Sequence, residues 1–281
     1  MLGKLIKHEW KRLWKVPALL LILLQIIAVG AGLTFLEPVY ENDFWGIGLL
    51  VGLIWITFFA AVIGVSFAIT IYLALQFYKS MYSDEGYLTH TLPVTGIQLL
   101  TAKGLIMTLW SFISSLGIIL SILLFGFVAV NCYPQMEWRM LMQEIQEGLK
   151  GLLWHLELEE IRLTAFIIPA VLSMLLGLIY NTVLIMGSLT IGQLARKHRI
   201  PLSFLAGICI HWLVSSVQSI AQMPSLFYGF RRTGNLGITV AEDVYSYMVT
   251  SMWVQNVVIA VCTVVLFIFS IYIVRRKLNL E

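Results

Sequence analysis

Six long stretches without a charged residue constrain the fold of this 281-residue chain more than any other feature. No Asp, Glu, Lys or Arg occurs in residues 16–36, 44–78, 104–136, 163–195, 200–230 and 244–274. The shortest stretch has 21 residues. At about 1.5 Å per residue it forms a helix about 31 Å long, which is enough to cross a hydrocarbon core about 30 Å thick. Each stretch therefore predicts one membrane-spanning helix.

The composition agrees with this interpretation. The mean hydropathy is +0.90 and only 12% of the residues are charged, which excludes a water-soluble globule of this length. We predict an all-α membrane protein whose residues 1–281 form a single transmembrane domain. The predicted spans lie near 17–36, 46–77, 105–130, 164–193, 201–221 and 253–274.

The basic residues predict the orientation of the spans. With a cytoplasmic N-terminus, 13 of the 18 basic residues are cytoplasmic: Lys4, Lys7, Lys11, Arg12, Lys15, Lys79, Lys103, Arg196, Lys197, Arg199, Arg275, Arg276 and Lys277. The outer loops then carry 11 of the 15 acidic residues. We therefore expect both termini to be cytoplasmic, in a multi-pass protein of the plasma membrane, the bacterial cytoplasmic membrane. The first apolar stretch exceeds the roughly 7 to 15 residues of a signal-peptide core, which predicts an uncleaved span.

Two segments outside the spans have helical periodicity. Residues 1–15 place Leu5, Trp10 and Leu13 on one side and lysines on the other, which predicts an amphipathic helix in the membrane interface. Glu9 lies near its apolar side, either as one misplaced acid of a lipid anchor or as a contact to a partner protein. Residues 132–163 predict one or two amphipathic helices on the outer side, with an open role.

Signatures of catalysis are missing from the sequence. It contains no Gly-rich P-loop with Lys and Ser or Thr, no His-Glu-x-x-His and no Gly-x-Ser-x-Gly. Its three cysteines are scattered, so no disulfide framework or metal-ligand spacing is visible. We expect a non-enzymatic protein without a metal site, and we expect no nucleic-acid partner.

Neutral polar residues are densest in the fifth span, where His211, Ser215, Gln218 and Ser219 occur. Such residues either bond within their own helix and allow close packing, or they line a translocation path or a seam between subunits. A single histidine in a helix bundle, such as His211, is more often a hydrogen-bonded packing residue than a proton relay. Gly48 and Gly52 offer a GxxxG contact in the second span.

The polar loop over residues 80–95 follows the second span. Ser83, with the acids that follow it, is typical of a helix start, and Pro93 ends that helix. Thr95 and Gln98 then match a capping box that begins a second helix running into the third span. These features predict a short, rigid cytoplasmic helix, although an ordinary well-capped connection has the same pattern.

The chain resembles the six-span permeases of ATP-binding-cassette (ABC) exporters of the type-two kind. The resemblance rests on "KLIKHEWKRLWK" before the first span and on "YSDEGYLTHTLPVTGIQLLTAKG" after the second. It implies a permease that dimerises with an identical or different permease chain. It also implies a cytosolic ATPase partner, which binds ATP and magnesium, whereas this chain binds no cofactor itself.

The resemblance also implies roles for the loop, which would be the coupling helix that transmits movement of the ATPase. Ser83 would begin it, Asp84, Glu85 and Gly86 would contact the ATPase, and Pro93 would set the turn. Lys103 would lie where the third span leaves the membrane, and Glu9 is a further candidate ATPase contact.

Two other classes of function stay open at this stage. A non-transporting membrane protein, such as an immunity, sensor or assembly factor, has the same composition, and so has an ion-coupled carrier or channel. The absence of Asp, Glu, Lys and Arg from the spans disfavours the carrier, because carriers usually place ionisable groups at membrane depth. The apolar, aromatic-rich spans favour a hydrophobic, amphipathic or peptide-like substrate. Membrane lipids are expected partners in every case.

Overall fold

The computed structural model describes residues 2–36, 39, 45–83, 95–132, 140, 142–148, 150–151, 163–195, 198–232 and 240–276. This part of the chain is almost entirely helical and contains no strand. Its helices are α1 (Leu2–Leu13), α2 (Lys15–Gly32), α3 (Trp45–Tyr82), α4 (Gly96–Cys132), α5 (Leu163–Gly192), α6 (Arg199–Arg232) and α7 (Val240–Arg276), with a 3-10 turn over Leu33–Phe35. The predicted all-α fold is confirmed.

Six of these helices, α2 to α7, are long and apolar enough to cross a membrane. Each coincides with one predicted span, which confirms a multi-pass membrane architecture. Helix is the expected form, because a hydrocarbon core offers no hydrogen-bond partner and each backbone group must be satisfied within its own segment. Several helices extend beyond the predicted spans. For example, α4 begins at Gly96, nine residues before the predicted start near 105.

The junction of α1 and α2 is set by Pro17. Proline has no backbone N–H, so Pro17 cannot donate the hydrogen bond that the Leu13 carbonyl would receive in a regular helix. The regular helix is interrupted at Trp14, although the Trp14 torsions remain helical (φ −63°, ψ −33°). Hydrogen bonds from Trp14 N to Trp10 O and from Ala18 N to Trp14 O cross the junction at 3.2 and 3.1 Å. The interfacial position of α1 stays a prediction.

The chain divides into two compact units. The first unit comprises residues 1–76 and 105–150, and the second comprises residues 77–104 and 151–281. Helices α3 and α4 therefore contribute most of their length to the first unit and their loop-proximal ends to the second. The expectation of a single transmembrane domain stays a prediction.

Aromatic stacking forms the centre of the first unit. Phe58 on α3 is fully buried and stacks on Phe125 of α4 with ring centroids 5.0 Å apart. Helix α2 approaches α4 closely: a Cβ added at Gly32 would lie 2.7 Å from Val128 Cβ, and one at Gly117 would lie 2.8 Å from Leu21 Cδ2. The absence of a side chain at these glycines permits the close approach of the two helices.

The second unit contains a bundle of α5, α6 and α7, which all contact one another. Its buried centre combines Tyr180, Val214 and Ile259, one from each helix. A short connection joins α5 to α6. Gly192, the last residue of α5, lies directly against Ser203 of α6, and His198 adopts φ 59° just before α6 begins. A side chain at residue 192 would overlap Ser203.

The predicted outer segment, residues 132–163, is described only in part. Residues 142–148 are helical and exposed in the single chain, including Met142 and Ile145, which are 46% and 45% exposed. Helix at this position agrees with the periodicity of the sequence. Its outer location stays a prediction.

Candidate coupling site at the flanks of the polar loop

The centre of the loop that the sequence singles out lies outside the described residues. This applies to Asp84, Glu85, Gly86 and Pro93, whose predicted roles stay predictions. The residues on both sides are described, and we call residues 77–83 and 95–104 the loop flanks. All of them belong to the second unit.

The capping box at the start of α4 is present. The Thr95 backbone N–H donates to Gln98 Oε1 at 3.2 Å, and the Gln98 backbone N–H donates to Thr95 Oγ1 at 3.4 Å. This reciprocal pair satisfies two backbone donors that have no partner inside a helix. The prediction that a helix starts here and runs into the third span is confirmed.

Ser83 follows the last residue of α3. Its hydroxyl donates to the Lys79 carbonyl at 2.5 Å, so the Ser83 side chain caps the C-terminal end of α3. The helix start predicted at Ser83 concerns the residues that follow, which lie outside the described part of the chain. Its capping role there stays a prediction.

Lys103 joins the two flanks to each other. Its Nζ donates to Ser80 Oγ at 2.8 Å, and Ser80 in turn donates to the Phe77 carbonyl at 3.1 Å. Both side chains are almost fully buried, with Lys103 3% exposed and Ser80 2% exposed. Burial of an ammonium group is unfavourable unless hydrogen bonds compensate for the lost water. The bond to Ser80 is one such compensation, and it fixes the second turn of α4 against the last turn of α3.

Tyr82 joins the first flank to the α5 helix. Its hydroxyl lies 2.7 Å from Thr190 Oγ1, and Thr190 donates to the Met186 carbonyl at 2.6 Å. A carbonyl can only accept, so the Thr190 proton is used in that bond and Tyr82 is the donor to Thr190. The two residues are 108 positions apart in the chain. Their bond ties the end of α3 to the last turn of α5.

Apolar packing reinforces these hydrogen bonds. Met81 and Leu100 are fully buried, one on each flank. Helix α4 also passes close to α5, since a Cβ added at Gly104 would lie 3.2 Å from Met186 Sδ. The flanks are therefore packed into the second unit on both sides of the loop. They contact α5 through Tyr82 and Gly104.

The polar residues of the fifth span are held within the chain. The hydroxyl of Ser219 donates to the Ser215 carbonyl at 3.0 Å, and Ser216 bonds to the Trp212 carbonyl in the same way. His211 Nδ1 lies 3.4 Å from the Tyr180 hydroxyl on α5. These contacts favour the packing interpretation of α6. Gln218 is half-buried, and a path or seam through this helix stays a prediction.

The GxxxG pair of the second span has no close neighbour. A Cβ added at Gly48 or at Gly52 would meet no atom within 4 Å. No other described helix of this chain therefore packs closely against the pair.

Glu9 is buried in its own chain, with 5% of its side chain exposed. This degree of burial leaves almost no surface for a partner protein to contact. The structure therefore gives no support to Glu9 as an ATPase contact, which stays a prediction.

A further buried cluster lies between α5 and α7, and the sequence analysis missed it. Asn256, 2% exposed, donates through Nδ2 to the Pro169 carbonyl at 2.9 Å and accepts through Oδ1 from the Ser173 hydroxyl at 2.7 Å. The sequence did contain a signal for it: an asparagine within an apolar span usually forms a hydrogen bond with a neighbouring helix. Among the described residues no group of His, Cys, Asp and Glu is placed to hold a metal ion.

Comparison with protein-family models, with curated proteins and with solved structures gave no match for this chain.

Proposed function

We propose that this chain is the membrane-spanning permease subunit of an ABC exporter, with the polar loop as its coupling helix. One observation carries the proposal. The loop flanks are bonded to each other through Lys103 and Ser80, and to α5 through Tyr82 and Thr190. A loop held in this way moves together with the membrane helices, as a coupling element must.

Transport through such a subunit proceeds by a change of conformation driven from outside the membrane. Nucleotide binding by the partner presses on the loop. The resulting displacement reaches α5 through the Tyr82 to Thr190 bond and changes the packing of the α5 to α7 bundle. Rigid-body movements of this kind are a common means of alternating access.

The energy source is a separate protein. The sequence has no P-loop, and its charge-free spans carry no carboxylate or lysine for an ion-coupled mechanism. An ATPase chain that binds ATP and magnesium is therefore the expected cytosolic partner. The loop and both termini then lie in the cytoplasm, as the distribution of basic residues predicts.

A second permease chain, identical or different, completes the proposed transporter. The apolar side of α3 supports this part of the proposal, because Leu53, Ile56 and Phe67 are at least half exposed in the single chain and Gly48 and Gly52 are open to close approach. The substrate class we favour is hydrophobic, amphipathic or peptide-like, in keeping with the apolar spans.

The test is ATP hydrolysis in the complex purified from native membranes. The variant Glu85→Lys reverses one charge at the centre of the loop, and we expect it to weaken ATPase binding and to lower the hydrolysis rate about tenfold, an effect of about 1.4 kcal/mol. Glu147→Lys is the matched control, since Glu147 is an exposed acid on residues 142–148. Equal hydrolysis rates in the two variants contradict the proposal.

The second candidate is a non-transporting membrane protein whose loop binds a regulator. The intrahelical bonds of Ser216 and Ser219 favour it, because they leave α6 with fewer free polar groups for a path. This candidate predicts a stable complex with a protein that does not hydrolyse nucleotide, and purification of the chain with its partner separates the two.

A further inference from the structure

An apolar groove follows one side of α2, in the first unit. It is lined by Trp14, Lys15, Ala18, Leu19, Ile22, Leu23 and Ile26 and has a volume of about 410 Å³. Its residues recur every three or four positions, which places them on one face of the helix. We call this feature the α2 groove.

The chemistry of the α2 groove differs between its two ends. Among the described residues that line it, Lys15 is the charged one, and it lies at one end next to Trp14. The rest of the lining is aliphatic and well exposed, with Leu19 61% and Ile26 66% exposed. A ligand that fits this surface has an anionic group at one end and a long alkyl chain attached to it.

The length of the groove matches one leaflet of a bilayer. Lys15 is the last charged residue before the apolar stretch, so it lies where the hydrocarbon core begins. From Lys15 to Ile26 the helix rises about 16 Å at about 1.5 Å per residue. Half of a hydrocarbon core about 30 Å thick is about 15 Å. An acyl chain of one leaflet therefore extends along the whole groove.

The lysines at and before the start of the α2 groove favour a lipid with an anionic headgroup. Lys7 and Lys11 are exposed and precede Lys15 at intervals of four residues, so the three lysines follow one side of α1 into α2. Basic residues at a membrane surface attract anionic lipids. Aromatic residues such as Trp14 are typical of the same depth. A second copy of this chain is a poor occupant, because a symmetric contact would bring two Lys15 side chains together.

We propose that the α2 groove is a binding site for an anionic phospholipid. One acyl chain lies along Ala18, Ile22 and Ile26, and the lipid phosphate is bound by Lys15. The site is independent of the ATPase, so it holds whether or not the proposed transport function does.

The test is native mass spectrometry of the purified full-length chain, titrated separately with phosphatidylglycerol and with phosphatidylcholine. Lys15→Gln is expected to weaken phosphatidylglycerol binding about fivefold and phosphatidylcholine binding less, because the choline cation offsets the charge of the phosphate that Lys15 binds. Ala18→Trp fills the groove and is expected to weaken the binding of both lipids. Lys79→Gln is the matched control, because Lys79 is also an exposed lysine at the end of a span.

Three results would overturn the proposal. One is equal phosphatidylglycerol binding by Lys15→Gln and Lys79→Gln. Another is lipid binding that Ala18→Trp leaves unchanged. The third is a loss of dimer mass in Ala18→Trp without loss of lipid, which would identify a second copy of the chain as the occupant. Inorganic phosphate added at the same concentration is expected not to compete, since it lacks the acyl chain.

Discussion

At the scale of single residues, the loop flanks depend on a few buried polar groups. Lys103, Ser80, Tyr82 and Thr190 are each less than a tenth exposed, and hydrogen bonds link them in two pairs. A buried polar group without its partner destabilises a protein by about 1 to 3 kcal/mol. These side chains therefore hold the flanks in one arrangement.

The substitution Tyr82→Phe tests this role of the Tyr82 hydroxyl. It removes the donor to Thr190 and keeps the ring, so we expect the free energy of unfolding to fall by about 1 kcal/mol. We also expect the proposed complex with the ATPase to hydrolyse ATP more slowly. Thermal unfolding in detergent and the hydrolysis rate of the complex measure the two effects. Tyr78→Phe is the control, since the contact found for Tyr78 is between rings, with Tyr82, at 6.1 Å. Equal effects of both substitutions contradict the assignment.

Two neighbouring glycines of α2 make a second test at this scale. Gly32→Ala places a Cβ 2.7 Å from Val128 Cβ, whereas Gly30→Ala meets no atom within 4 Å. Alanine is about 1 kcal/mol more favourable than glycine inside a helix. We expect Gly30→Ala to raise the unfolding temperature and Gly32→Ala to lower it, by calorimetry or a fluorescence melt. A rise in both would show that α2 and α4 are not in close contact.

At the scale of elements, each charge-free stretch predicted a helix but not where that helix ends. The stretches report where lipid excludes charge, whereas helix ends depend on caps and on packing outside the hydrocarbon core. Thr95 and Gln98 were recognisable as a cap because the capping box is local in sequence. The partners of Tyr82 and Asn256 were not, because a single sequence does not state which helices are neighbours.

The contact of α7 with α5 at Asn256 is testable by Asn256→Leu. The substitution keeps the branching and the number of side-chain heavy atoms and removes the bonds to the Pro169 carbonyl and the Ser173 hydroxyl. Interhelical hydrogen bonds in membrane proteins contribute about 0.6 kcal/mol on average and at most about 1.7 kcal/mol. Reversible unfolding in mixed micelles is expected to show a loss in that range.

The control for this experiment is Thr263→Val on the same helix. Thr263 is also buried, but its hydroxyl donates to the Ile259 carbonyl of its own helix at 2.6 Å. We expect a smaller loss than for Asn256→Leu. A larger loss for Thr263→Val would mean that the α5 to α7 contact does not depend on Asn256.

At the scale of the whole molecule, the fold is compatible with the proposed transporter subunit, which would draw its energy from a separate ATPase. Six helices long enough to cross a membrane carry a polar loop whose flanks are bonded to α5, and the sequence contains no P-loop. We therefore propose a permease whose conformational change is driven by a separate ATPase. The identity of the proposed ATPase and the arrangement of a second permease chain could not be predicted from this sequence, because both depend on other polypeptide chains.

The proposed pairing of two permease chains is testable by disulfide crosslinking. In a background where Cys132, Cys209 and Cys262 are replaced by alanine, Gly48→Cys is expected to form a dimer on mild oxidation. Gly30→Cys is the control. A Cβ at either glycine would meet no atom within 4 Å, and Gly30 lies near the end of α2 whereas Gly48 lies near the start of α3. Crosslinking of Gly30→Cys but not of Gly48→Cys places the contact on α2 and rejects α3.

The most direct measurement is site-specific photocrosslinking in native cells from a photoreactive amino acid placed at residue 85. The account predicts a single major adduct with a protein that contains a P-loop, and no such adduct from the same photoreactive residue at position 147. An adduct with a protein that binds no nucleotide, or crosslinking from residue 85 to a partner outside the cell, would contradict the central claim that a cytosolic ATPase moves this chain through its polar loop.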